Sequence, residues 1–184
     1  MNIDSTSSNR FADGAYEFSM GNFDKSIENF SEMIEHDPNN IEAYFGRGVS
    51  YVKTERFDLA REDFDKAIEL DPHHAKAYHF RGLVFMRQGE YDRAIEDFDK
   101  AIEIKPDYAI AYFSRATAYS EVGDTERAGK DMTMAARLGE ANLQGFADHH
   151  NIWRTKYDKV EAEAMGERER DWAVNPDLRS FLDS

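Results

Sequence analysis

The sequence predicts an all-α fold: an array of helix–turn–helix repeats with a capping helix towards the C-terminus. Three observations carry this. The chain repeats itself, since AYFGRGVSY at Ala43–Tyr51 returns 34 residues later as AYHFRGLVF and 34 residues after that as AYFSRATAY. DFDKAIEL at Asp63–Leu70 likewise returns as DFDKAIEI at Asp97–Ile104, and a fixed period of this length is the mark of a repeat architecture. Small and apolar residues recur at helical spacing, as in Tyr44, Gly48 and Tyr51, and no segment alternates with a period of two. Proline closes three successive units at Pro38, Pro72 and Pro106.

Taken in order, residues 1–6 are polar and are expected to be disordered. Four units follow, at 7–40, 41–74, 75–108 and 109–142. In each, a small residue (Gly14, Gly48, Gly82, Ala116) sits on the first helix, where it lets the second helix approach closely. A second small residue (Ser26, Ala60, Ala94, Ala128) opens the facing stripe of the second helix, which in unit two continues through Phe64, Ala67 and Ile68. Asp71-Pro72 stops that helix, because proline disfavours helical backbone in the residue before it. Unit one departs in its first helix, where Phe11 and Phe18 are displaced by one residue from the aromatic positions of the others. Unit four is degenerate at its end, with Leu138-Gly139-Glu140 in place of a Leu-Asp-Pro-like ending. Phe146 and Trp153 fall where a fifth unit would carry aromatics, so 143–166 reads as a capping helix, with Tyr157 and Val160 extending its stripe and Gly166 as the stop. The tail, 167–184, carries Trp172 and then a short amphipathic helix: Asn175-Pro176-Asp177 is a start signal, and Leu178, Phe181 and Leu182 fall on one face.

With these residues on the page, the chain resembles the tetratricopeptide repeat (TPR) family over residues 7–142. The resemblance implies a right-handed α-solenoid whose first helices line a concave groove, and a protein of small bacterial type. In that register the groove row reads Phe11, Ala15, Phe18; Phe45, Val49, Val52; His79, Leu83, Met86; Phe113, Thr117, Ser120. Lys53, Lys76, Phe80 and Arg87 stand at its margins, making an apolar floor with a small basic cluster. Part of this row must pack neighbouring repeats together. Family members that hold chaperone tails ending in Glu-Glu-Val-Asp use a carboxylate clamp of Lys, Asn and Arg. Here Phe11, Ala15, Gly46 and Phe80 occupy clamp positions and only Lys76 fits, so that activity does not carry over.

Arg47, Arg81 and Arg115 recur with Asp63, Asp97 and Asp131, and unit one lacks both partners, having Asp13 and Asn29. This pattern predicts an Arg–Asp pair, within or between units, bridging first and second helices, since a bidentate Arg–carboxylate contact is geometrically specific. A row of free arginines for an acidic ligand is the weaker alternative. His73-His74 and His149-His150 invite a metal reading, but neighbouring histidines on a helix point about 100° apart and no metal-ligand motif accompanies them. No metal and no cofactor are expected.

The composition narrows the function. There are 23 Lys and Arg against 37 Asp and Glu, a net charge of −14, which disfavours nucleic acid and anionic membrane surfaces as partners. The 41% hydrophobic content supplies a core, and the lack of cysteine excludes disulfides and thiolate chemistry. No apolar run matches a membrane span and no secretory signal is recognisable, so a cytoplasmic protein is expected. No phosphate-binding loop or activated nucleophile is present, and the acidic residues Glu62, Glu69, Glu96 and Glu103 read as solvated faces. The expected function is a non-catalytic interaction scaffold that binds a protein or peptide segment in the concave groove. The alternative is a structural protein that self-assembles through its groove or its tail, with Trp172, Leu178, Phe181 and Leu182 as the docking residues.

Overall fold

The computed structural model describes the backbone of residues 4–149 and the side chains of residues 10–139. Among the described residues eight helices follow one another: α1 (Asp4–Ser19), α2 (Phe23–His36), α3 (Ile41–Lys53), α4 (Phe57–Leu70), α5 (Ala75–Arg87), α6 (Tyr91–Ile104), α7 (Ala109–Glu121) and α8 (Thr125–His149). There is no strand among the described residues. The helices pair α1 with α2, α3 with α4 and α5 with α6, and each pair packs on the next, so the chain is an all-α helical repeat solenoid. First helices also approach one another, α1 with α3, α3 with α5 and α5 with α7, and form the inner row of the array. The chain divides into two compact units, Met1–Ala135 and Ala136–Ser184. In the second, the described residues are helical as far as His149.

Local chemistry explains the boundaries. The Asn40 side chain caps α3 by accepting from the Ala43 N–H at 2.9 Å, and His74 caps α5 with its Nδ1 accepting from the Ala77 N–H at 3.0 Å. The turn inside each repeat needs a left-handed residue. Gly21, Gly89 and Gly123 take φ of 78°, 78° and 82° there, and Glu55 takes the same place in repeat two at φ 59°. A residue with a Cβ is strained in that region.

Packing within each of the first three repeats rests on a glycine–phenylalanine contact. Phe64 and Phe98 are fully buried, and burial of such a ring contributes about 2–3 kcal/mol. A Cβ at Gly48 would sit 2.7 Å from the Phe64 ring, and one at Gly82 would sit 2.7 Å from Phe98. At Gly14 the corresponding distance to Phe30 is 3.0 Å. Between repeats one and two the apolar seam of Phe30, Met33 and Ala43 is joined by a buried polar contact: Ser26 Oγ donates to the Gly14 carbonyl at 2.9 Å and lies 3.0 Å from Ser50 Oγ.

Two expectations are corrected. The first helix starts at Asp4, so residues 4–6 belong to its first turn rather than to a disordered segment. Unit four does not end at 142 before a separate cap: α8 runs unbroken from Thr125 to His149. Glu140 stands where the earlier units have proline, so nothing forces the preceding residue out of helical backbone. The remainder of the expected capping helix (150–166) and the whole tail, including Trp172, Leu178, Phe181 and Leu182, lie outside the described residues.

Candidate binding groove

Arginine clamps set the first helices against their neighbours. Arg47 donates through Nε and Nη2 to both Asp63 oxygens, at 2.8 and 2.7 Å. Arg81 does the same to Asp97 at 2.9 and 2.7 Å, and Arg115 to Asp131 at 2.7 and 2.8 Å. The expected pairing is therefore present in all three units. The third nitrogen of each guanidinium reaches back to the previous repeat's second helix: Arg47 to Ser31, Arg81 to Asp65, Arg115 to Asp99. Each clamp thus ties three helices together. Aromatics flank it, with Tyr44 and Tyr51 both 5.8 Å from the Arg47 guanidinium carbon. Hydrogen bonds to the aspartates raise the arginine pKa values. Burial pushes the Asp63 and Asp97 carboxyls up from the ordinary carboxylate range, and their arginine partners oppose that shift. These arginines are held inside the scaffold and do not form a free row.

The inner faces of α3, α5 and α7 enclose an open hollow of about 520 Å³. Its floor and walls are Val49, Val52, Phe80, Leu83, Met86 and Phe113, with Lys53 and Arg87 at the lip. Phe113 is 52% exposed, so its ring is available to a ligand. A half-open apolar concavity with a few charged groups at its edge is the usual form of a binding site.

The remaining residues of the expected groove lie elsewhere. Phe11 packs 5.8 Å from Phe30, and Phe18 lies edge-on to Phe23 at 5.4 Å, so both belong to repeat one. Phe45 meets Phe80 edge-on at 5.4 Å and lies 6.0 Å from Phe64, gluing repeats two and three. Lys76 is exposed at the start of α5, away from the hollow.

His79 is a correction. It is only 2% exposed, so it cannot face a ligand in the groove. Its ring lies against Phe80, Phe98 and Tyr108. Nε2 is 3.0 Å from Ser114 Oγ, which links α5 to α7, and Nδ1 has no hydrogen-bond partner. Burial pushes its pKa down to about 4, so the ring is neutral at pH 7.

Tyr91, Ser114 and Glu121 line the hollow and were not in the expected set. Tyr91 opens α6. The signal for Glu121 is positional: it stands one period after Arg87, as Arg87 does after Lys53. Among the described residues, no group of three or more His, Asp or Glu side chains is placed to hold a metal ion. No described helix is long and apolar enough to cross a membrane.

Comparison with known proteins agrees with this architecture. No curated protein matches the chain. Among solved structures, a crystal structure of MamA superposes with a TM-score of 0.70 at 28% identity, covering 77% of this chain and 83% of that one. MamA MSR-1 superposes with a TM-score of 0.63 at 24% identity, covering 77% and 82%. MamA 41-end from Desulfovibrio magneticus RS-1 gives a TM-score of 0.68 at 18% identity, covering 75% and 78%. The last two establish likeness of fold alone. Two tetratricopeptide repeat models match the sequence, one over residues 12–75 and 47–109 and the other over 98–130. Over those residues, which carry the hollow and every clamp residue but Asp131, the chain belongs to the tetratricopeptide repeat family.

Proposed function

We propose that this chain is a non-catalytic protein-interaction scaffold that binds a peptide segment in the hollow formed by α3, α5 and α7. The observation that carries the reading is the hollow itself: apolar side chains from three successive repeats converge on one open concavity, with Phe113 half-exposed at its wall. The clamps hold those helices rigidly, so little ordering entropy is lost in the scaffold when a ligand binds. The hollow's affinity comes from apolar area.

A random peptide display selection against the full chain tests this. Enriched peptides should share an apolar stripe and lose binding to Phe113→Asp, a substitution at an exposed ring that should leave the melting temperature nearly unchanged. Peptides that bind the variant equally well would move the site elsewhere. A second reading, self-assembly, is favoured by the exposed apolar side chains of repeat one, Phe11, Tyr16 and Met20. Molar mass that rises with concentration would support it, and a constant monomer mass would remove it.

A further inference from the structure

The hollow carries a charge order that its apolar floor does not require. Lys53, Arg87 and Glu121 close α3, α5 and α7 at equivalent places, one repeat apart, and all three are exposed at the lip of the same hollow. None of the three is held in an ion pair among the described residues, whereas the first-helix arginines Arg47, Arg81 and Arg115 are all clamped. A helix C-terminus favours a cation and disfavours an anion, because the helix dipole is negative there. That accounts for Lys53 and Arg87. It makes Glu121 an unfavourable choice for the stability of α7, so its presence beside Thr117 and Phe113 calls for another explanation.

Resting on the groove reading above, we propose that the hollow takes an amphipathic segment of another protein in one fixed direction, with acidic residues over Lys53 and Arg87 and a basic or neutral end over Glu121. The apolar stripe of the segment fills the floor between Val49 and Phe113. Its acidic end meets the two free cations, which lie on a chain whose net charge of −14 otherwise repels acidic partners. The charge row thus selects the partner and fixes its polarity. The chain's own last residues are a poorer match: 167–184 interleave Arg168, Arg170 and Arg179 with their five acids, which cancels much of the charge that the cations would read.

The test uses the full chain and synthetic helix-forming peptides of about 16 residues that share one leucine stripe. One carries glutamates at one end and lysines at the other, one carries glutamates at both ends, and one carries lysines at both ends. Calorimetry at low salt should rank the mixed peptide first and the all-lysine peptide last, with about a tenfold spread that shrinks at high salt. The variant Lys53→Glu with Arg87→Glu should invert the preference between the all-glutamate and all-lysine peptides. A spin label on the glutamate end of the mixed peptide should broaden the Val49 and Val52 methyl signals, and one on the lysine end should broaden that of Thr117. Equal affinity for all three peptides, still abolished by Phe113→Asp, would overturn the charge selection and leave the groove reading standing. Binding that ignores Phe113→Asp would overturn both. Displacement of the mixed peptide by a 167–184 peptide at equal concentration would make the occupant this chain's own tail and overturn the assignment to another protein.

Discussion

Repeats three and four share the same clamp and differ in almost everything around it. Arg81 grips Asp97 and Asp65 in one, and Arg115 grips Asp131 and Asp99 in the other, with matching geometry. In repeat three the clamp sits beside a closed core: Phe98 is fully buried against Gly82, and Pro106 follows the end of α6. In repeat four Met132 takes the place of Phe98 and is 45% exposed, Ala116 takes the place of Gly82, Thr125 that of Tyr91 and Glu140 that of proline. Its second helix accordingly runs on to His149. The clamp fixes the angle at which helices meet. Closing and ending a repeat requires the ring-on-glycine contact and the proline as well. The wall that repeat four contributes to the hollow, Phe113 and Thr117, comes from its first helix, whose partner Asp131 is still gripped.

The largest expected effect contrasts the two cores. Phe98→Ala should destabilise the protein by about 4 kcal/mol through lost burial and a residual cavity, and Met132→Ala by less than about 1 kcal/mol. Urea unfolding of the two variants checks this, and equal costs would show that repeat four is as closed as repeat three. The clamps should behave alike. Arg81→Leu and Arg115→Leu should each cost about 3 kcal/mol, because each leaves a buried aspartate without its partner. A large difference between them would mean that the core beside a clamp sets its worth.

His79 gives the comparison a pH dependence. Its pKa is depressed to about 4 in the folded protein, against an ordinary value near 6.5 in the unfolded chain. Its stabilising contribution is complete above about pH 6.5 and is lost as pH falls towards 4, where the folded protein also takes up the proton. The loss amounts to about 3 kcal/mol over that window. His79→Gln, which keeps a nitrogen able to reach Ser114, should flatten that part of the stability–pH curve. An unchanged slope would place the titration elsewhere. The smallest effect concerns Glu55, whose φ of 59° is met by glycine in the other three repeats. Glu55→Gly should stabilise by about 1 kcal/mol, read as a rise in melting temperature.

Much of this was legible in the sequence because repetition supplies internal controls. Three near-copies identified the helix pairs, the glycine approach and the Arg–Asp pairing, since a residue that recurs at one period answers the same physical need each time. The third contact of each clamp was missed, although Asp65 and Asp99 recur at that same period. The glycines of the inner turn were missed as well, because Glu55 interrupts the series of Gly21, Gly89 and Gly123. Periodicity places a residue on a face of its helix and says nothing of what the next repeat lays over it. His79 and Phe45 share a face with Leu83 and Val49, yet α7 covers His79 through Ser114, and Phe80 covers Phe45. The run of α8 through residues 139–142 needed a negative signal, the missing proline, to outweigh the expectation of a fifth unit.

The location of the binding surface can be tested most directly by methyl NMR of the full chain during titration with the mixed-charge leucine-stripe peptide. The methyl signals of Val49, Val52, Leu83 and Met86 should shift together and saturably, while those of Leu59 and Met20, exposed away from the hollow, stay in place. Shifts confined to Leu59, Met20 or Met132, with the hollow methyls unmoved, would contradict the assignment of the groove as the functional surface.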